Sequence, residues 1–113
     1  GGKHLASVQQ ANIDLKKHDL QMEQAMDFIL SEVEKAYLKV FETQEKVESN
    51  AALVEQADEA LRMVKIMYEN GGATQVEVLN AESGALGARS SYLSSVFEFN
   101  TAILQLKQAI NKL

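Results

Sequence analysis

Apolar and small side chains recur along the first two thirds of the chain at alternating steps of three and four residues. An average step of about 3.5 residues is the signature of a helix that packs along one seam in a left-handed coiled coil. The pattern therefore predicts one long amphipathic helix. Its seam comprises Met26, Ile29, Val33, Ala36, Val40, Thr43, Val47, Ala51, Val54, Ala57, Leu61, Val64 and Tyr68.

The opposite side of this first helix carries mostly charged residues. Glu32, Glu45 and Glu59 are among those that fall there, and such a side is typical of a helix face in contact with water. A docking surface for a basic partner is the alternative interpretation of the same acidic face.

The last third of the chain has helical spacing on two sides instead of one. The first stripe is Val76, Leu79, Ser83, Leu86, Ser90, Leu93, Phe97, Asn100 and Leu104. The second stripe is Val78, Ala81, Ala85, Ala88, Tyr92, Val96, Phe99, Ile103, Leu106, Ile110 and Leu113. A helix that is apolar on two sides packs on two sides. We therefore expect this helix to belong to a ring or a large bundle, as part of a helical wall.

Small residues are concentrated in this second helix. Gly84 and Gly87 each cost about 1 kcal/mol of helix propensity relative to alanine. Close approach of a neighbouring backbone would compensate for this cost, so we expect Gly84, Gly87 and Ala88 to form a close-packing helix interface. Ordinary tolerance of glycine is the alternative.

The two helical patterns are separated by a single break. The chain has no proline, and it has no glycine between Gly2 and Gly71. Gly71 suits a left-handed helix cap, because a residue without Cβ accepts positive φ without steric cost. Thr74 can cap the next helix, and Glu77 completes a capping box. These signals predict an all-α fold: a long antiparallel hairpin with helices at about 3–70 and 74–112.

The first predicted helix is much longer than the second. Residues before about Glu34 therefore either pair with another chain or fold back, which would make a three-helix bundle. Gly1 and Gly2 are typical of a cloning scar or a linker. We expect residues 3–113 to be a single coiled-coil hairpin cut from a larger protein.

Composition excludes several kinds of chemistry. Without cysteine there is no disulfide and no thiolate metal site. A net charge of −5 argues against a nucleic-acid partner. His4 and His18 lack an acidic residue at metal-ligand spacing, and the Gly71–Gly72 pair is too short for a phosphate loop. No apolar run reaches the length of a membrane span. We expect no enzymatic activity, no metal and no cofactor.

The residues around the break form a specific pattern, which resembles TolC-like outer-membrane efflux proteins. It reads Ala60-Leu-x-x-Val-x-x-x-Tyr68-x-x-Gly71-x-x-Thr74-x-x-x-Val78-Leu79-Asn80-Ala81. The Val-x-x-Ala-Tyr pattern at 33–37 and the stretch at 7–15 are also similar to that family. The resemblance covers about 3–111, and the hairpin corresponds to that of the C-terminal repeat.

This resemblance implies a trimeric channel in the outer membrane of a Gram-negative bacterium. The hairpin would form the periplasmic wall of its tunnel, and membrane contact would be made only through a β-barrel that is missing from this stretch. The implied partners are two further copies of the protein, a periplasmic adaptor (membrane-fusion) protein and an inner-membrane pump. Multidrug efflux and type I secretion are the implied processes. A free-standing coiled-coil scaffold or interaction module is the alternative function.

The resemblance also implies roles at the tip of the hairpin. Tyr68 matches a tyrosine that helps to hold the closed entrance through its hydroxyl. Glu77 falls where the family often has an aspartate, and Asn80 falls where an acidic residue lines the entrance. Ala73 replaces an arginine that clamps neighbouring hairpins in some members. The tip and gate candidates are Tyr68, Gly71, Gly72, Ala73, Thr74, Glu77 and Asn80.

Overall fold

The computed structural model describes residues 1–113 as two helices and no strand. Helix α1 spans Gly2–Glu69 and helix α2 spans Gln75–Ile110. The molecule measures 104 × 18 × 13 Å. At about 1.5 Å per residue, α1 alone accounts for that length. The predicted long hairpin is therefore confirmed, and the fold-back into a three-helix bundle does not occur in the chain.

The seam between the helices follows the predicted coiled-coil spacing. From Ile29 to Val64, the a and d positions of each heptad in α1 are at least partly covered, and Thr43 is only 1% exposed. On α2 the fully buried seam residues are small: Ala85, Ser95, Ala102 and Ala109. The side of α2 that carries the second predicted stripe thus packs against α1. From residue 95 onwards its most buried residues, Ser95, Ala102 and Ala109, each lie one position before a predicted member of the stripe.

Three members of the predicted α1 seam lie outside it. Met26 is 48% exposed because α2 does not extend far enough to cover it, and Tyr68 is 47% exposed beside the turn. Ala51 is exposed, whereas its neighbour Asn50 is half-buried. The heptad spacing therefore continues without interruption through a polar residue, which a search for apolar residues passes over.

Three ion pairs join the two helices along the edges of the seam. Lys46 Nζ lies 3.5 Å from Glu98 Oε2, and Arg89 Nη2 lies 3.0 Å from Asp58 Oδ2. Lys112 Nζ lies 3.2 Å from Glu32 Oε2. Exposed pairs of this kind contribute about 0–1 kcal/mol each, so their main value is to favour one register. Glu32, expected on the water-facing side, is in fact a half-buried seam-edge residue.

Apolar side chains stay exposed along both helices, including Tyr37, Leu38 and Phe41 of α1, and two exposed surfaces correspond to predicted seams. One is the first predicted stripe of α2, whose large members are 53–73% exposed: Val76, Leu79, Leu86, Leu93, Phe97 and Leu104. The other is the start of α1, where every residue up to Phe28 is exposed. The expectation of packing on two sides of α2 is therefore met on one side within the chain.

The small seam residues lead to a packing prediction. Ala102 is 2% exposed, so Ala102→Leu should force the helices apart and lower the free energy of unfolding by about 1–3 kcal/mol. Urea unfolding followed by circular dichroism measures this change. Ala52→Leu adds the same atoms at an exposed position and serves as the control. Equal stabilities of the two variants would contradict the packing described here.

Candidate functional site at the hairpin tip

Helix α1 ends in a Schellman motif. The Gly71 N–H donates to the Tyr68 carbonyl at 3.2 Å, and the Gly72 N–H donates to the Met67 carbonyl at 2.7 Å. The Asn70 side-chain amide donates to the Ile66 carbonyl at 2.7 Å. Gly71 has φ +77°, the single positive φ in the chain. The predicted left-handed glycine cap is confirmed, and it satisfies carbonyls that the helix end would leave unpaired.

Helix α2 begins with the predicted capping box. The Glu77 N–H donates to Thr74 Oγ1 at 3.2 Å, and the Thr74 N–H donates to Glu77 Oε2 at 3.1 Å. Thr74 has extended backbone angles, as an N-cap residue requires. The two capped ends are therefore joined by only five residues, 70–74.

The structure brings all seven tip candidates to one end of the rod. Ala73 is half-buried, while Tyr68, Thr74, Glu77 and Asn80 are exposed together with the glycine pair. The Glu77 carboxylate accepts the capping-box hydrogen bond through one of its oxygens, so this side chain helps to start α2. The roles of these residues in gating stay predictions.

A group of charged residues lies just behind the tip, and sequence reasoning did not find it. Arg62 donates to both carboxylate oxygens of Glu59, at 2.9 and 2.6 Å. These hydrogen bonds lower the pKa of Glu59 and raise the pKa of Arg62. Arg89 and Asp58 bridge the two helices beside them. The signal for the Asp58–Arg89 pair is present in the sequence. In the heptad abcdefg, with a and d in the seam, both residues occupy e positions, and e positions face each other in an antiparallel coiled coil.

The glycines of α2 do not pack against α1. A Cβ built at Gly84 or at Gly87 would have no atom within 4 Å. No other backbone approaches these two positions within the chain, because both point away from the seam, so the expected close packing there stays a prediction. Ala88, by contrast, is half-buried in the seam. Close packing at the glycines would need a helix outside residues 1–113.

Serines and charged residues line a shallow polar groove between the two helices, along one flank of the hairpin. Its walls are Glu42, Glu45, Lys46, Ser49, Asn50, Ser90, Ser91, Ser94, Ser95 and Glu98. No hydrophobic residue contributes to it. No group of His, Asp and Glu side chains is arranged to hold a metal ion, and neither helix contains an apolar stretch long enough to cross a membrane.

The chain is an extended two-helix hairpin with a tightly capped tip and a bare apolar stripe. This is the architecture of a helical segment that packs against other helices in a larger assembly. The chain matches the family model described as outer membrane efflux protein over residues 1–112, and it belongs to that family. Membership places it in a family of channel and transport proteins of the Gram-negative outer membrane and periplasm. Neither curated proteins nor solved structures give a significant match.

Two glycines of the chain should respond to alanine with opposite signs. Gly71→Ala places a Cβ at φ +77° and should lower the free energy of unfolding by about 1–2 kcal/mol. Gly87→Ala meets open space in a helix and should raise it by up to about 1 kcal/mol. Thermal unfolding of the two variants beside the parent chain measures both shifts. Changes of the same sign would show that the tip geometry or the orientation of α2 is wrong.

Proposed function

We propose that this hairpin is a wall segment of a trimeric outer-membrane efflux or secretion channel. The observation that carries the proposal is the bare stripe on α2. By heptad geometry that stripe lies about 150° around the helix from the covered seam. A helix with two contact lines somewhat less than 180° apart bends a row of helices into a closed wall. Family membership supports the same conclusion.

The exposed apolar stripe of α2 also requires a contact partner. Leu86, Leu93 and Phe97 are 67–73% exposed in one row, and large contiguous apolar patches on a protein surface mark interaction sites. A neighbouring hairpin in the trimer would bury this row. The glycines at 84 and 87, which have no neighbour within the chain, offer a second place where a helix of another protomer can approach closely.

We further propose that the tip forms the periplasmic entrance and docks an adaptor protein. The turn is short and held by caps on both sides, which makes it a defined end for contacts between protomers. Tyr68 is 47% exposed, so its hydroxyl is free to bond to a neighbouring tip. Ala73 supplies no guanidinium and Asn80 no charge, so closure would depend more on Tyr68 and on apolar contacts. Energy and selectivity would come from an inner-membrane pump.

The test uses a longer protein that carries this hairpin between its other segments. Gly71→Val should abolish export, because a β-branched residue at positive φ misdirects the tip. Tyr68→Phe removes one hydroxyl; it should leave assembly intact and raise the resting conductance of the closed channel, consistent with losing about 0.5–1.5 kcal/mol of hydrogen bonding. Export assays and single-channel recording measure the two effects.

Gly72→Ala is the matched control, because its Cβ would lie at an ordinary 3.5 Å from the Met67 carbonyl oxygen. The Gly72→Ala variant should show the same export and the same resting conductance as the parent protein. If Gly71→Val and Tyr68→Phe leave export, resting conductance and adaptor cross-linking unchanged, the turn is only a connector and the proposed entrance lies elsewhere.

A further inference from the structure

Methionine occurs in this chain only in pairs that are four residues apart. The four methionines form the pairs Met22–Met26 and Met63–Met67. Both pairs lie within helix α1, where side chains at i and i+4 stand one above the other on the same face. None of the four is buried, and their exposed fractions range from 47% to 60%. Methionine more commonly fills gaps in apolar cores, so these positions need a different explanation.

The Met63–Met67 pair lies off the seam, on the flank of α1 beside the tip. In the heptad, Met63 occupies a c position and Met67 a g position, whereas Met22 and Met26 occupy the seam positions d and a. At this level α1 is packed against α2, and Val64 is half-buried in the seam. The two methionine side chains nevertheless stay 53% and 47% exposed. Packing within the hairpin therefore explains neither of them.

The turn adds a carboxylate to the same flank. A Cβ built at Gly72 would lie 3.8 Å from the Cβ of Met67, so Met67 stands directly beside the turn. Lys46 pairs with Glu98 across this flank. Three heptads closer to the turn on both helices, the same register places Glu77 opposite Met67. The negative charge of Glu77 beside the two thioethers favours a cation over an anion.

The nearest positive charge on this part of α1 is already neutralised. Arg62, which precedes Met63, donates to both carboxylate oxygens of Glu59. Lys65 occupies an e position, on the opposite flank of the seam from the g residue Met67. The surroundings of the pair therefore do not oppose the binding of a monovalent cation.

Two thioethers on one helix face form a ligand set for a soft cation. The Cβ atoms of residues four apart are about 5–6 Å from each other, and the flexible methionine side chain lets both sulfurs turn towards one ion between them. Thioethers suit Cu(I), whereas carboxylate, carbonyl and water oxygens suit Mg²⁺ and Ca²⁺. Ag(I) shares the charge, the filled d shell and the sulfur preference of Cu(I). The expectation that the chain binds no metal rested on histidine and acidic residues, and it passed over thioethers.

We propose that Met63 and Met67 together bind one Cu(I) or Ag(I) ion at the hairpin tip. Both sulfurs coordinate the ion, and Glu77 contributes electrostatic attraction from the start of α2. The ion keeps its oxidation state throughout. Because the site lies within one hairpin, the proposal does not rest on the proposed function. An apolar contact with a partner protein is the alternative role of the pair, and leucine separates the two roles because it keeps the apolar surface without the sulfur.

Nuclear magnetic resonance of the methionine methyl groups tests the site in the unmodified chain. Silver nitrate in chloride-free buffer is the probe, because Ag(I) needs no reductant. Each methionine gives one methyl signal, and equimolar Ag(I) should shift the signals of Met63 and Met67. If these two signals stay in place, or if only those of Met22 and Met26 move, the proposal is overturned. Equal shifts with zinc nitrate would reduce the effect to attraction of any cation.

Leucine substitutions measure the contribution of each sulfur. With Met22→Leu and Met26→Leu as the background, calorimetry of Ag(I) binding reports the tip pair. Loss of an outer-shell partner alone costs about 10–100-fold in metal affinity, so Met63→Leu or Met67→Leu should weaken binding at least that much. All four positions are exposed, so the helix content should not change. An affinity that survives both substitutions would show that the sulfurs are not ligands.

A gain of affinity gives an independent test. Glu59→Met places a third thioether one helical turn before Met63, on the same side of α1. It should raise the affinity for Ag(I) by about the factor by which loss of one thioether lowers it. Glu59→Leu is the matched control, because it removes the partner of Arg62 without adding sulfur, and it should leave the affinity close to that of the parent chain. Equal affinities of the two variants would contradict the proposed ligand set.

Discussion

The five-residue turn at 70–74 is the constraint on which the rest of the structure depends. A positive φ at Gly71 reverses the chain, and the Thr74–Glu77 box starts the next helix at once. Because both helix ends are capped, neither can lengthen or shorten without losing hydrogen bonds. The turn thereby sets the register in which α2 packs against α1. The residues that meet in the seam and in the flanking ion pairs follow from that register.

The hairpin built on this turn covers only part of its apolar surface. Five of 113 residues are fully buried, which is too little for a self-sufficient core in a chain of this size. Small residues at the seam bring the helices close together, while Leu86 and Phe97 face outward at 71% and 73% exposure. The remaining apolar surface of the hairpin therefore requires contacts with neighbouring helices. That property links the geometry to membership in a family of assembled channels.

Most of the architecture could be predicted because it depends on local signals: heptad spacing, one glycine break and one capping box. Gly71, Thr74 and Glu77 behave as local chemistry requires. The predictions that failed concern how the two helices are oriented relative to each other. Whether Glu32 faces water or Lys112 depends on how each helix is rotated about its axis. Asn50 was missed because a polar residue can occupy a seam position wherever the groove stays open beside it.

In the proposed channel, the bare stripe of α2 becomes a second seam between neighbouring helices. Thiol labelling after Phe97→Cys tests it most directly, since the parent chain has no cysteine. We expect fast labelling in the isolated hairpin and strong protection in an assembled longer protein that carries it. A thiol introduced by Glu45→Cys, on the outer side of α1, should react equally fast in both. Labelling at position 97 that is equally fast in the assembled protein would show that the stripe is not a contact surface there.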